Sequence, residues 1–288
     1  MIRAFPLAGG IQSMLKLLAI LFMTLDHIGA YWGLYMDPKL YLFLRVLGRL
    51  AFPIFAWELA LGFRRTHNLF KYVLRLFALA VVSQLLFNPM MEREFIEPHP
   101  NVLFTLSLGL VLLTSWEMIF RGRHDLLIRM QPIQEGNGIP DPWHFRFNPG
   151  FSLNPLLAIS LGLFFFILSF AAALYFELDY DVYGLLTILL FHLALNEPEG
   201  QVASTAMISF AFLNILFVCG SIVLHDYHLL PNDVFYWSAT QGFSLFALPL
   251  IFSIKEKEKK PSVLQRSFFY FYYPLHILLI LYLRTKLF

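Results

Sequence analysis

Two ionisable residues stand side by side in the stretch MTLDHIGA, Asp26 and His27, inside an apolar run over residues 14–33. A run of about 20 such residues is long enough to cross the hydrocarbon of a bilayer. An ionisable side chain at that depth must be paired or must reach a water-filled cavity, so each one is a candidate site residue. Arg45, Arg49 and His276 also fall inside apolar runs, with Glu58 and Arg75 nearer the ends of theirs. Arg45 and Arg49 are four residues apart, share one helix face and are placed to meet Asp26. That pairing predicts an ionic knot holding two helices together.

His27 asks for a different partner. Residues at i and i+1 of a helix do not face each other, so Asp26 is not expected to orient its neighbour. An imidazole with an ordinary pKa near 6.5 can accept a proton, carry an acyl group or ligate a metal. Lys16, Ile20, Met23, His27 and Tyr31 form one helical stripe, and the eleven residues from Lys16 to His27 span about 16 Å. The stripe is a candidate path from the surface to the histidine, although Lys16 also fits an ordinary flanking role. His276 lies in FYYPLHILL, with Tyr272 and Tyr273 at i−4 and i−3 and Pro274 interrupting the helical hydrogen bonds. A buried, satisfied histidine and a chemical role are both open there. His225 and His228 have a spacing that suits a metal but no evident third ligand, so no metal is expected. HExxH, GxSxG, P-loop and GxGxxG motifs are missing.

The elements that must hold these residues follow from composition. Of 288 residues, 58% are hydrophobic and only 14% charged, against about 25% charged in soluble domains. The expected class is an all-α, polytopic integral membrane protein. Nine apolar runs can be counted, at 14–33, 40–63, 69–90, 103–120, 153–176, 182–196, 202–224, 234–254 and 264–284. Lipid leaves backbone groups no external partner, so helices are expected throughout. The first run, preceded by Arg3 and followed by no small-residue cleavage site, is expected to be retained. Basic clusters follow runs two, four and eight: Arg64, Arg65 and Lys71; Arg121, Arg123 and Arg129; and KEKEKK at 255–260. The alternate loops carry Glu92, Glu94, Glu97, Asp179, Asp181 and Asp233. The positive-inside rule then puts the N-terminus in the cytoplasm, the C-terminus outside and His27 in the outer half of the membrane. The Pro- and Gly-rich stretch at 121–152 reads as a long cytoplasmic loop insert, with room for a re-entrant or interfacial piece at Trp143 to Phe147. The remainder reads as one integral domain over 1–288. A net charge of +2 gives no reason to expect nucleic acid, and the single cysteine, Cys219, excludes an internal disulfide.

The succession KLLAILFMTLDHIGAYW, LRVLGRLAFPIFAWELALGFRRTHNLFKYVLRLFALAVVSQLLFN, NVLFTLSLGL, LDYDVYGLLTILLFHL, QGFSLFALPLI and SFFYFYYPLHILLILYL resembles the TraX family from about Lys16 to Leu283. Its motifs fall on Asp26-His27, on Gly48, Arg49, Pro53 and Phe55, on Gly62, Phe63, Arg65 and Thr66, on Asn101, Thr105 and Leu106, and on Tyr272, Pro274 and His276. The chain departs from the family's pattern at FSIKEKEKKP after ALPLI and in the 121–152 insert. The resemblance implies an integral membrane protein of the kind named for acetylating a pilin N-terminus. It also implies kinship with the membrane acyltransferases that include heparan-α-glucosaminide N-acetyltransferase.

The function implied is an acetyltransferase of the inner, cytoplasmic membrane. It would pass acetyl from cytosolic acetyl-CoA to an amine or hydroxyl on the outer side, such as a pilin N-terminus or a glycan. His27 would act as base or acyl carrier, with Asp26 and Arg49 as support. Asn101, Thr105, Tyr273 or His276 would polarise the thioester carbonyl. Lys16, Arg64, Arg65, Lys71 and Arg75, with Arg49, make the basic set expected to face the CoA phosphates. Membrane lipid surrounds the whole, and assembly as a homo-oligomer is left open. The competing expectation is a proton- or ion-coupled transporter of small solutes using Asp26, His27 and Arg49. That reading calls for matching broken helices, which the apolar runs do not reveal.

Overall fold

The computed structural model describes residues 12–91, 99–130, 154–228, 232–254 and 263–287, and among these there are helices and turns but no strand. Eleven α-helices follow in order: α1 Gln12–Trp32, α2 Pro38–Gly48, α3 Ala51–Arg65, α4 Leu69–Met90, α5 Val102–Met130, α6 Pro155–Tyr175, α7 Asp181–Ala194, α8 Val202–Asp226, α9 Asn232–Gln241, α10 Ala247–Ser253 and α11 Val263–Leu287. Arg3, Glu92, Glu94, Glu97, the stretch with Trp143 to Phe147 and the KEKEKK segment lie outside the described residues, as do the side chains of Arg129, Asp233 and Arg284.

Among the described residues six helical stretches are long and apolar enough to cross a membrane: Met14–Tyr35, Pro38–Arg65, Leu69–Met90, Val102–His124, Pro155–Tyr175 and Val202–Asp226. Shorter apolar helices at Asp181–Ala194, Ser238–Ser253 and Ser267–Leu283 coincide with the other three runs. The chain is a multi-pass helical membrane protein. Its outward faces carry the large apolar side chains that lipid accepts, for example Ile167 at 66% and Ile208 at 71% exposure.

Local chemistry sets the helix starts. Asp37 accepts from Lys39 N at 2.9 Å ahead of Pro38, and Asn154 accepts from Leu156 N at 2.9 Å ahead of Pro155. Each is an N-cap followed by a proline at the first helical position, where a missing N–H costs nothing. Asn68 and Asn101 cap α4 and α5 in the same way, through Lys71 N and Leu103 N.

Two of the apolar runs that read as continuous are broken. The second divides between Gly48 and Ala51, because Pro53 has no N–H to give the Arg49 carbonyl one turn earlier. The eighth divides between α9 and α10 through a 3₁₀ turn at Gly242–Phe246, and Pro249 likewise leaves Leu245 without its donor. Both second halves open on Ala-x-Pro, as AFP and ALP.

The chain forms two compact units. One comprises residues 1–60, 81–97 and 186–288, the other 61–80 and 98–185. In the first, α1 packs on α2 and α11, and α8 packs on α9. Its core includes Trp57, edge-on to Phe191 at 5.5 Å and to Phe252 at 5.1 Å. In the second, α5 lies along α6, and Gly162 allows the approach: a Cβ there would sit 2.9 Å from the Ser115 carbonyl oxygen.

Candidate functional site

Asp26 and His27 leave α1 in different directions, as helical geometry requires. The Asp26 Oδ1 atom accepts from Arg45 Nη1 at 2.9 Å and from Arg49 Nη2 at 3.1 Å. Arg49 is 2% exposed and its Nε donates to the Arg45 carbonyl at 3.4 Å. The knot depends on small residues at the crossing. A Cβ on Gly48 would fall on the Asp26 carboxyl group, and one on Gly29 would lie 3.1 Å from Leu44 Cβ. At Gly33 it would lie 2.5 Å from the Tyr41 ring. Gly29 and Gly33 are four apart, the small-residue spacing that lets membrane helices approach closely. That signal was present in the sequence and overlooked.

His27 turns toward α11. Its Nδ1 lies 2.8 Å from His276 Nε2, and the His276 Nδ1 lies 3.0 Å from the Tyr272 carbonyl oxygen. The two imidazole planes differ by 10° with centroids 5.0 Å apart. With so short a bond between the rings, they meet edge to edge in nearly one plane. Around them, Tyr273 stands edge-on to His27 at 6.2 Å and to His276 at 5.3 Å, and Phe87 tilts over His27 at 6.1 Å. Tyr272 lies nearly parallel to His276, 11° between planes. Its hydroxyl is 2.9 Å from Thr24 Oγ1, which in turn donates to the Ile20 carbonyl at 2.8 Å. Both histidines are buried, at 8% and 4% exposure.

The rest of the expected site divides into groups. Ile20 and Met23 are buried beside His27 on one stripe of α1, while Leu17 and Leu21 face outward. Lys16, at the head of that stripe, pairs with Glu58 of α3 at 3.3 Å and stands 5.8 Å over the Phe269 ring. Arg64, Arg65, Lys71 and Arg75 belong to the other unit. There Arg65, Lys71 and Arg75 are exposed, and Arg75 Nε donates to the Lys71 carbonyl at 3.2 Å. Asn101 and Thr105 are in that unit too. The Asn101 carboxamide bridges the Ala80 carbonyl, at 3.0 Å, and Leu103 N, at 3.0 Å, a structural use of both its ends. Thr105 is fully buried and its hydroxyl has no hydrogen-bond partner. No group of three or more potential metal ligands occurs among the described residues. Sequence reasoning missed Thr24 and Phe87. Thr24 was findable, being one turn before His27 on the same helix.

The fold and the buried histidine pair define a multi-pass helical membrane protein with a hydrogen-bonded imidazole pair beside an ionic cluster. Residues 11–133 match the model of the family described as TraX protein. The matched stretch holds Asp26, His27, Arg45, Arg49, Asn101 and Thr105; His276 lies beyond it. The chain is 36% identical over 107 residues to a probable fimbrial assembly protein, FimC of serogroup H1, from Dichelobacter nodosus, covering 34% of this chain and 43% of that one. It is 32% identical over 98 residues to the uncharacterized protein RP591 of Rickettsia prowazekii (strain Madrid E), 34% of each. The chain thus spans less than half the length of either curated relative. No solved structure matches.

Proposed function

We propose that the protein is a membrane-embedded acetyltransferase that uses acetyl-CoA as donor and modifies an amine or hydroxyl, in the processing of a pilin or similar surface structure. The carrying observation is the bond between His27 and His276. Two imidazolium rings cannot share such a bond, since each nitrogen would be a donor; at least one ring is unprotonated at the meeting point. A buried imidazole kept able to accept a proton is what general-base chemistry requires.

In this reading the acceptor nitrogen or oxygen attacks the thioester carbonyl while His27 takes its proton. The carbon–sulfur bond then breaks, and the proton passes to the departing CoA sulfur. Nothing else is consumed: acetyl-CoA and acceptor become acetylated acceptor and free CoA. Arg65 and Lys71, exposed at the end of α3 and the start of α4, are the residues best supported for binding CoA phosphates, with Arg64 and Arg75 nearby in sequence. Lys16 and Arg49, engaged with Glu58 and Asp26, serve the scaffold. Nine spans in a cytoplasmic membrane, with the N-terminus inside, complete the proposal, and His27 then lies toward the side from which the acceptor arrives. Kinship with the wider membrane acyltransferases is part of the same reading.

The test is purified protein with radiolabelled acetyl-CoA and an amine-bearing peptide. Wild type should release CoA and label the peptide, and His27→Ala should do neither. Equal consumption by both proteins rejects the role of His27.

One observation favours a second reading, ion- or proton-coupled transport. The two interrupted helices touch, α2 meeting α9 and the turn after it, and broken helices mark substrate sites in transporters. Transport requires solute flux into vesicles without loss of acetyl-CoA, so the same preparation separates the two.

A further inference from the structure

We infer that His276 is a positioning residue that fixes the tautomer of His27, leaving Nε2 of His27 as the proton-accepting nitrogen. The inference rests on the acetyl-transfer reading for its use, but its geometry stands apart from that reading. It begins at the backbone. The Tyr272 carbonyl oxygen can only accept, so the His276 Nδ1 at 3.0 Å must be its donor. A neutral His276 then has its lone pair on Nε2, which can only accept. The His27 Nδ1, 2.8 Å away, is therefore the N–H of that bond. Its ring has one proton when neutral, so Nε2 carries the lone pair. The chain of bonds runs from the His27 Nδ1–H to His276 Nε2, and from the His276 Nδ1–H to the carbonyl of Tyr272.

This is the less common tautomer of a free histidine side chain, so something must impose it. A ring nitrogen's protonation is set by the hydrogen bond its opposite nitrogen makes. Here the setting is anchored twice by one residue. The Tyr272 carbonyl orients His276, while the Tyr272 hydroxyl meets Thr24 at 2.9 Å. Thr24 already donates its own proton to Ile20, so it accepts from the tyrosine. Thr24 and His27 are three apart on α1, and Tyr272 and His276 four apart on α11. The two cross-links therefore stand side by side and hold α11 in register with α1. Among the described residues no donor or acceptor meets His27 Nε2, which leaves that nitrogen for a substrate. When Nε2 takes the acceptor's proton, the Nδ1–H stays bonded to His276, whose lone pair stabilises the imidazolium.

The experiment is nitrogen-15 NMR of histidine-labelled protein in detergent micelles, assigned with His27→Ala. Wild-type His27 should show a protonated Nδ1 and an unprotonated Nε2. A protonated Nε2 in neutral wild-type His27 overturns the inference outright. His276→Ala should move His27 to the Nε2–H form and lower kcat at least about 10²-fold, a tautomer-setting partner in a hydrolytic triad being worth more still, with KM for acetyl-CoA little changed. Retention of the Nδ1–H form in His276→Ala overturns it as well. His276→Glu supplies an acceptor-only group and should restore the Nδ1–H form; failure to do so counts against the inference even if His276→Ala does not fold. If wild type shows the stated tautomer but transfers no acetyl group, the acetyl-transfer reading fails and the tautomer assignment stands.

Discussion

Asp26 and His27 are consecutive residues with opposite environments. Asp26 sits among ions, one carboxylate against the two guanidiniums of Arg45 and Arg49. His27 sits among neutral groups, with two aromatic rings, an imidazole and a backbone carbonyl beyond it. The first arrangement is local: α1 and α2 follow each other in the chain, and glycines at 29, 33 and 48 bring them close. The second joins residues 249 positions apart. The ionic cluster is held by its single carboxylate, since a guanidinium left without a counter-charge is costly. The imidazole pair is held by a single hydrogen bond between ring nitrogens. The contrast teaches that adjacent residues of one helix can serve a local ionic contact and a long-range hydrogen bond.

The largest test of this division removes the carboxylate. Asp26→Ala leaves two guanidiniums, one of them 2% exposed, without their counter-charge and should cost about 3–5 kcal/mol. Thermal unfolding in detergent should show a sharp fall in midpoint or no folded protein. His27→Ala should reverse the pattern, retaining most of the stability while transfer falls by about 10²–10⁴-fold, the usual worth of a general base. If His27→Ala unfolds the protein as badly as Asp26→Ala, the histidine is support too and the distinction collapses. Gly48→Ala is the next step down. Its methyl group would collide with the Asp26 carboxyl, at a cost of about 1–3 kcal/mol for overpacking. Its defect should be in stability, measured by the same unfolding midpoint, with kcat per folded molecule nearly unchanged.

The local half of this contrast was legible in the sequence and the distant half was not. The spacing of Arg45 and Arg49 put both on one helix face, and the impossibility of an i,i+1 contact separated His27 from Asp26. Apolar runs located the six helical stretches long enough to span a membrane and the three shorter apolar helices, because a long apolar run is visible in sequence. The breaks after Gly48 and Gln241 escaped that reading, since hydropathy is blind to a missing N–H; Pro53 and Pro249 were the signals. His276 stood out as a histidine among apolar residues, but nothing nearby says which helix it meets. That information lies in tertiary packing, as does the pairing of Lys16 with Glu58. Lys16 was grouped with the basic rim from its place at the head of the His27 stripe, with an ordinary flanking role as the alternative.

Lys16 therefore offers the finest test, with the smallest effect. Its side chain is 31% exposed and its partner Glu58 only 6%. Lys16 reaches solvent but Glu58 is buried, so Lys16→Met should cost about 1 kcal/mol or slightly more, the low end for a buried polar group that loses a partner. If Lys16 is support, like Asp26, that loss appears in the unfolding midpoint and KM for acetyl-CoA stays put. Arg65→Ala and Lys71→Ala should do the converse: unchanged midpoints, and a KM raised by roughly threefold each, the worth of one exposed charge pair. The KM increase should shrink at high salt, where such pairs are screened in wild type as well. A salt-sensitive KM defect in Lys16→Met, with stability intact, would move Lys16 from the scaffold to the donor site. The α1 stripe would then carry donor binding at one end and proton acceptance at the other.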